Sequence, residues 1–251
     1  MSGQGRRDVP LRGRGFQPRS LPAGSWGFLI VVLVLWQLGS RVGFIDELTL
    51  PSPLQVASAL ADLWTSGDVW RHLFASLRRI VTGWVAGFGF GVALGLVMGV
   101  FSWGRSLGLP LVSALFPIPK IALLPLFILW FGIGEGSKVA TIAFGVFFPT
   151  VVSTYTAVDA VPRGLVRMGQ SFDLGAAAIV RKILLPGALP GILAGARISA
   201  SIALILVVAA EMIGAEDGVG ALILTSGHLL QTDRLLAGVV ILSILGLLVS
   251  A

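Results

Sequence analysis

The chain has 251 residues, of which 55% are hydrophobic and only 12% charged, and its mean hydropathy is +0.93. A soluble domain carries roughly a quarter charged residues, so this composition requires a solvent that tolerates apolar surface, and the bilayer is that solvent. The absence of cysteine excludes disulfides, zinc–thiolate centres and thiol nucleophiles. The net charge of +6 does not point to nucleic acid, because Arg6, Arg7, Arg12, Arg14 and Arg19 crowd the start of the chain, as in the cytoplasmic flank of a first membrane helix.

In chain order, charge-poor runs cover residues 20–40, 80–104, 106–134 (broken by Lys120), 139–158, 183–210 (broken by Arg197) and 235–251. The runs are continuous rather than alternating, which predicts an all-α integral membrane protein with about six transmembrane helices and not a β-barrel. A cleaved signal peptide is the competing reading of the start. The first run is longer than a typical signal core and no small-x-small cleavage site follows it, which favours a retained helix. The expected organisation is a basic cytoplasmic tail (1–19), a first transmembrane helix (20–40), a periplasmic or extracellular segment (41–79), and a five-helix core (80–251) carrying a cytoplasmic loop at 159–190.

Six spans put both ends of the chain on one side. With the N-terminus inside, the inner segments hold Arg105, Arg163, Arg167, Arg181 and Lys182 besides the five tail arginines, and the outer ones hold Arg41, Arg71, Arg78, Arg79, Lys138 and Arg234. The bias follows the positive-inside rule, and the tail supplies all of it.

Between the first two runs, TLPSP at 49–53 stops a helix, and the amphipathic stretch 53–64 reads as a surface helix. In the second run Gly83, Gly87, Gly91, Gly95 and Gly99 recur every fourth residue, a stripe that lets membrane helices approach closely. Gly191, Gly195, Ser199 and Ala203 repeat the device in the fifth. Lys120, among Pro117, Pro119 and Pro125, is either a cation lining an anion path or a side chain reaching back to the headgroups. Glu211 is expected near the outer interface in a structural hydrogen bond to backbone, and Arg197 near the cytoplasmic end of the same run. His72 and His228 stand apart from other metal ligands, and there is no Walker-type loop, so powered transport needs a second subunit. An ATP-independent transporter or channel is the alternative; it predicts inverted internal repeats, and none stands out. A membrane-embedded enzyme lacks an acid, base, nucleophile or metal set.

The loop 159–190 holds two helix-compatible runs, 163–172 and 176–185, separated by Asp173 and Gly175 as breakers, the second ending at Pro186. Its four cations suit an anionic inner leaflet, or the helix inserts into a partner's groove.

Residues 183–195 (ILLPGALPGILAG), with the loop before them, resemble the EAA loop of ABC importer permeases, whose pattern is Glu-Ala-Ala, then Gly, then hydrophobic-Leu-Pro. Three further blocks, 117–138 (PIPKIALLPLFILWFGIGEGSK), 147–150 (FFPT) and 208–220 (VAAEMIGAEDGVG), are similar to the nitrate/sulfonate/taurine branch of that binding-protein-dependent family. The similarity runs from about Leu50 to the end.

The resemblance implies a type I ABC importer permease in a bacterial plasma (inner) membrane, with a cytoplasmic N-terminus. It also implies a homodimer around a central pathway, two ABC ATPase subunits inside, a substrate-binding protein outside, and a small anion as cargo, such as a sulfonate, nitrate or taurine. ATP–Mg would reside in the partner ATPase, with no catalytic, cofactor or metal residue in this chain. In that family the EAA loop forms a coupling helix seated in a cleft of the ATPase. Counting back from Pro186 puts Glu-Ala-Ala on Arg167, Met168 and Gly169, and the glycine on Asp173. The expected docking segment is therefore Leu165, Val166, Arg167, Met168, Gly169, Gln170, Ser171, Phe172, Asp173 and Leu174, with Leu185, Pro186 and Pro190 closing the loop. Arg167 is basic where the family has an acid, so the contact is assigned to the segment rather than to one side chain. The last run is short and ends without a basic tail, where family members usually continue further; truncation and a short last helix both fit.

Overall fold

A computed structural model describes residues 22–250; the tail 1–19 lies outside them. The chain divides into two compact units, Met1–Gln55 and Val56–Ala251. In the first, helix α1 (Pro22–Arg41) exposes Phe28, Leu29, Ile30 and Leu35, an apolar surface suited to lipid. The chain then reaches a capping box. The Ser52 backbone N–H donates to Gln55 Oε1 (2.7 Å) and the Gln55 N–H to Ser52 Oγ (3.3 Å), with Pro53 at the first helical position.

That box opens α2 (Pro53–Ser66). It is followed by α3 (Asp68–Val100), α4 (Ser102–Leu115), α5 (Leu124–Phe131), α6 (Glu135–Asp159), α7 (Arg163–Ser171), α8 (Ala176–Ile179), α9 (Leu185–Met212), α10 (Val219–His228) and α11 (Thr232–Ser250). The described residues contain no strand. Val56, Ala59 and Leu63, at helical spacing on α2, pack in one cluster with Val219 of α10 and with Ala237 and Ile241 of α11.

Among the described residues, four helices are long and apolar enough to cross a membrane: Asp68–Val100, Glu135–Asp159, Ala176–Met212 and Thr232–Val249. A fifth candidate is broken. Helices α4 and α5 meet at 88°, a break sharper than the kink expected from the prolines in the run 106–134. Pro117 and Pro119 cause the break, because neither offers an N–H to the preceding turn.

The glycine stripe shows that this bent pair is a crossing. Gly83 faces Ile142, Gly91 faces Thr150, Gly95 faces Thr154 and Gly99 faces Val158, so α3 and α6 run parallel. The approach is close: a Cβ at Gly91 or Gly95 would lie 2.7 or 2.5 Å from the Cβ of Thr150 or Thr154. Two parallel neighbours must be joined by a segment that returns the full length. Accordingly α4 starts beside the end of α6, with Arg105 paired to Asp159, and α5 leads to Ile133 and Glu135 beside Arg79 near the start of α3. Helix α9 is antiparallel to α6, with Gly187 on Val161, Gly191 on Ala157 and Gly195 on Ser153. The bundle thus has an end carrying α7 and an opposite end carrying α10.

Two further boundaries differ from the sequence expectation. Helix α3 begins at Asp68 rather than at residue 80, so Arg79, counted among the outer cations, is a buried residue of a long helix. Pro186 does not end a short helix either, because Ala176–Met212 is continuous. A π-turn over Val180–Leu184 changes the hydrogen-bond register just where Pro186 would leave a carbonyl unpaired and clash with the preceding turn.

Candidate functional site

At one end of the bundle, α6 gives way to Pro162, which opens α7. The helix closes in a Schellman motif. The Leu174 N–H donates to the Gly169 carbonyl (3.1 Å) and the Asp173 N–H to the Gln170 carbonyl (2.9 Å), while Asp173 takes the left-handed conformation at φ 57°. Aspartate holds the position where the EAA pattern has glycine because it tolerates this geometry better than most residues. Asp173→Gly is therefore expected to leave stability within a few tenths of a kcal/mol, whereas the β-branched Asp173→Val costs about 1–2 kcal/mol. Denaturant unfolding of the detergent-solubilised chain measures both, and a Val variant as stable as the parent would refute the left-handed turn.

Gly169 is buried and faces the next helix; a Cβ there would meet Ile183 Cδ1 at 2.7 Å. The neighbouring arc of α7 is bare. Leu165, Met168 and Phe172, at i, i+3 and i+7, are 43%, 52% and 74% exposed. Arg167, Gln170 and Ser171 are exposed on other faces, Val166 is half-buried and Leu174 half-buried beyond the turn. Leu185, Pro186 and Pro190 lie in the first turns of α9, where Gly187 and Gly191 clamp it to the end of α6. The predicted segment thus forms one short amphipathic helix, rigidly seated on α8–α9, with an apolar ridge on its outside.

Lys120 sits at the break between α4 and α5, in a 3₁₀ turn over Lys120–Leu123. Its ammonium donates to the Leu115 carbonyl (3.2 Å) and to that of Phe116, and lies 5.3 and 5.1 Å from the ring centres of Phe116 and Phe148. Pro119 cannot donate to the Leu115 carbonyl, which takes the Ile118 N–H (3.3 Å) and the lysine instead.

The opposite end holds a buried polar cluster that sequence reasoning missed. Glu211 is 1% exposed. Arg79 donates through Nη1 to Glu211 Oε1 (2.8 Å) and to the Asp217 carbonyl (2.5 Å), and through Nε and Nη2 to Glu135 (2.9 and 2.5 Å). Ser76 Oγ donates to Glu211 Oε1 (2.8 Å) and accepts from the Val219 N–H (2.9 Å), while the Gly220 N–H donates to Glu211 Oε2 (2.9 Å). The expected backbone hydrogen bond of Glu211 is therefore present, and an ion pair comes with it. Gly218, at φ 130°, brings the backbone against the Glu211 carboxylate, leaving no room for a Cβ. Lys138 donates to the carbonyls of Ile133 (2.8 Å) and Gly134 (3.1 Å), and His72 Nδ1 accepts from the Gly218 N–H (3.1 Å). The cluster ties α3, α6, α9 and the turn before α10 together. Local spacing gives no hint of it, because its members come from remote parts of the chain; an ionisable residue inside an apolar run is the one available signal.

Residues 87–251 match the family described as binding-protein-dependent transport system inner membrane component. The chain belongs to this family. It is 36% identical over 226 residues to SsuC of Escherichia coli (strain K12), a permease named for aliphatic sulfonates transport, covering 90% of this chain and 86% of that one. It is 36% identical over 229 residues to the taurine transport system permease protein TauC of the same organism (89% and 83%). Among solved structures, the MetNI methionine ABC transporter in an inward facing conformation has a TM-score of 0.63 at 23% identity, covering 70% of this chain and 88% of that one. At that identity the likeness speaks for the fold, and the fold is that of a type I importer permease. The family placement makes this a multi-pass permease and bears out the sulfonate/taurine branch read from the sequence blocks.

Proposed function

We propose that this chain is the pathway-forming subunit of an ATP-driven importer for a small anion, a sulfonate such as taurine or else nitrate, and that it couples to a separate ATPase through the loop 159–190. The observation that carries this reading is the exposed ridge of Leu165, Met168 and Phe172, which runs beside Gly169, the point where the same helix is seated on the bundle. An exposed apolar ridge of this kind suits a groove in a partner. Because α7 is braced on α8–α9, and α9 is clamped to α6 at Gly187, Gly191 and Gly195, a push on the ridge is carried into two spans. Closure of a paired ATPase would thus swing the bundle between inward and outward access. The α7 end and the arginine-rich tail are assigned to the cytoplasm, and the α10 end to the substrate-binding protein. Two copies of this chain and two ATPases, which hold the ATP–Mg, complete the assembly.

The test is uptake of labelled taurine, alkanesulfonate or nitrate into proteoliposomes holding this chain with its cognate ATPase, binding protein and ATP. Uptake is expected only when all are present. Uptake by the chain alone, without ATP, would favour the ATP-independent transporter instead.

Lys120 is assigned to the helix break rather than to the cargo path, because its ammonium is already committed to two carbonyls and two rings. Lys120→Met keeps the stem and removes the charge. It is expected to cost about 1–3 kcal/mol of stability and to leave the KM for uptake unchanged. A raised KM with unaltered unfolding would return Lys120 to the pathway.

A further inference from the structure

At the α7 end, a cavity of about 230 Å³ opens between α4, α6 and α7, with Arg105, Asp159, Arg163, Val158, Val161 and Leu184 among its lining residues. We infer that it binds a phosphate group, and that the anionic headgroup of an inner-leaflet lipid is its source. Three observations converge on this cavity. Arg105 pairs through Nη2 with Asp159, yet its Nε is buried and finds no hydrogen-bond acceptor among the described residues. A guanidinium keeps N–H donors beyond the one that Asp159 takes, and this side chain is 40% exposed, so an anion oxygen entering the cavity can meet them. Arg163, exposed at the first position of α7, adds a second guanidinium from another side. No side chain caps α7 at Pro162, so the positive end of this nine-residue helix lies beside the cavity that Arg163 lines.

The height of the cavity favours lipid. Phe101 and Trp103 stack at 5.8 Å on the α3–α4 corner just before Arg105, and both are exposed. Such rings sit at headgroup level at the membrane interface. Two arginines against one aspartate leave the cavity positive, and Arg167, Arg181 and Lys182 of the same loop raise the potential around it. Basic pockets between membrane helices on the cytoplasmic side are suited to anionic headgroups. The apolar wall of Val158, Val161 and Leu184 gives the glycerol and upper acyl carbons a surface to lie on. Occupancy would brace α7 against α4 and α6, making the position of the α7 ridge depend on the lipid.

The experiment uses the full chain in nanodiscs of phosphatidylcholine with or without phosphatidylglycerol, followed by native mass spectrometry of retained lipid. Phosphatidylglycerol is expected to be retained over phosphatidylcholine, and Arg163→Gln and Arg105→Gln are each expected to lower that preference about fivefold, the weight of one cation at an anionic surface. Arg181→Gln, on the same loop but outside the cavity, serves as the control and is expected to lower it far less than either cavity arginine does. A second arm adds inorganic phosphate to chain in pure phosphatidylcholine. Thermal stabilisation there that Arg163→Gln abolishes, with no lipid preference, keeps the phosphate site and changes its source. No lipid preference and no phosphate effect, or an equal loss in the Arg181 control, overturns the site.

Discussion

Glu211→Ala is expected to destabilise the chain by about 1–3 kcal/mol, because Arg79 keeps Glu135 as a partner but loses its buried acceptor on the other side. Arg79 and Glu211 have side-chain exposures of 4% and 0%, so water cannot replace the lost carboxylate. The substitution also strips acceptors from Ser76 and from the Gly220 N–H. Glu211→Gln keeps one oxygen for those donors and removes the charge, so its loss is expected to be smaller. Arg79→Met alone removes the cation paired with the buried Glu211 and is expected to cost more, about 3–5 kcal/mol. Glu135 suffers less, because Arg78 still pairs with it at 3.0 Å near the surface. The informative variant is the double, Arg79→Met with Glu211→Leu. Removing both charges leaves no lone buried ion, so the double is expected to be markedly less destabilised than the sum of the singles. Denaturant unfolding of the purified chain, read as a double-mutant cycle, measures this. Strict additivity, or a Glu211→Ala chain as stable as the parent, would show that the pair is not a unit.

The same cluster marks where the sequence stopped being legible. Continuous apolar runs located the crossing segments, because the bilayer demands length and hydrophobicity from each one separately. The stripe from Gly83 to Gly99 was readable as packing because four-residue spacing is local, although its partner α6 and the parallel direction were not. Arg79 and Glu211 were opaque for the converse reason: each reads as a polar residue at the edge of a run until the fold brings them within 2.8 Å. The bend at Pro117 and Pro119 was signalled by its prolines, but its 88° angle depends on what α4 and α5 pack against. Pro186 misled, because a π-turn satisfies the chain upstream of a proline that otherwise ends a helix. At the α7 end the turn at Asp173 was legible in the residue itself. The split of α7 into a seated side at Gly169 and an open side at Met168 required the position of Ile183.

Met168→Ser with Phe172→Ser is expected to lower ATP-driven uptake more than tenfold while leaving the chain folded. The two side chains are exposed, so their removal takes little from the bundle's own core. Aromatic and large apolar anchors at the centre of an interface are each worth about 2 kcal/mol or more when truncated, so a pair lost together weakens docking by far more than tenfold. Arg167→Ala tests whether charge rather than apolar contact holds the partner. It lies on another face of α7, so its loss is expected to change docking by about 1 kcal/mol or less, mostly through the rate of association. A third variant, Gly169→Val, separates docking from transmission. The added side chain collides with Ile183 and displaces the helix from its seat, while the ridge itself is kept. It is therefore expected to retain ATPase binding in pull-down and to lose uptake. Co-purification with the ATPase and uptake in proteoliposomes read the two effects apart. If the serine double variant binds and transports as the parent does, the ridge is not the docking surface and the contact lies elsewhere in the loop.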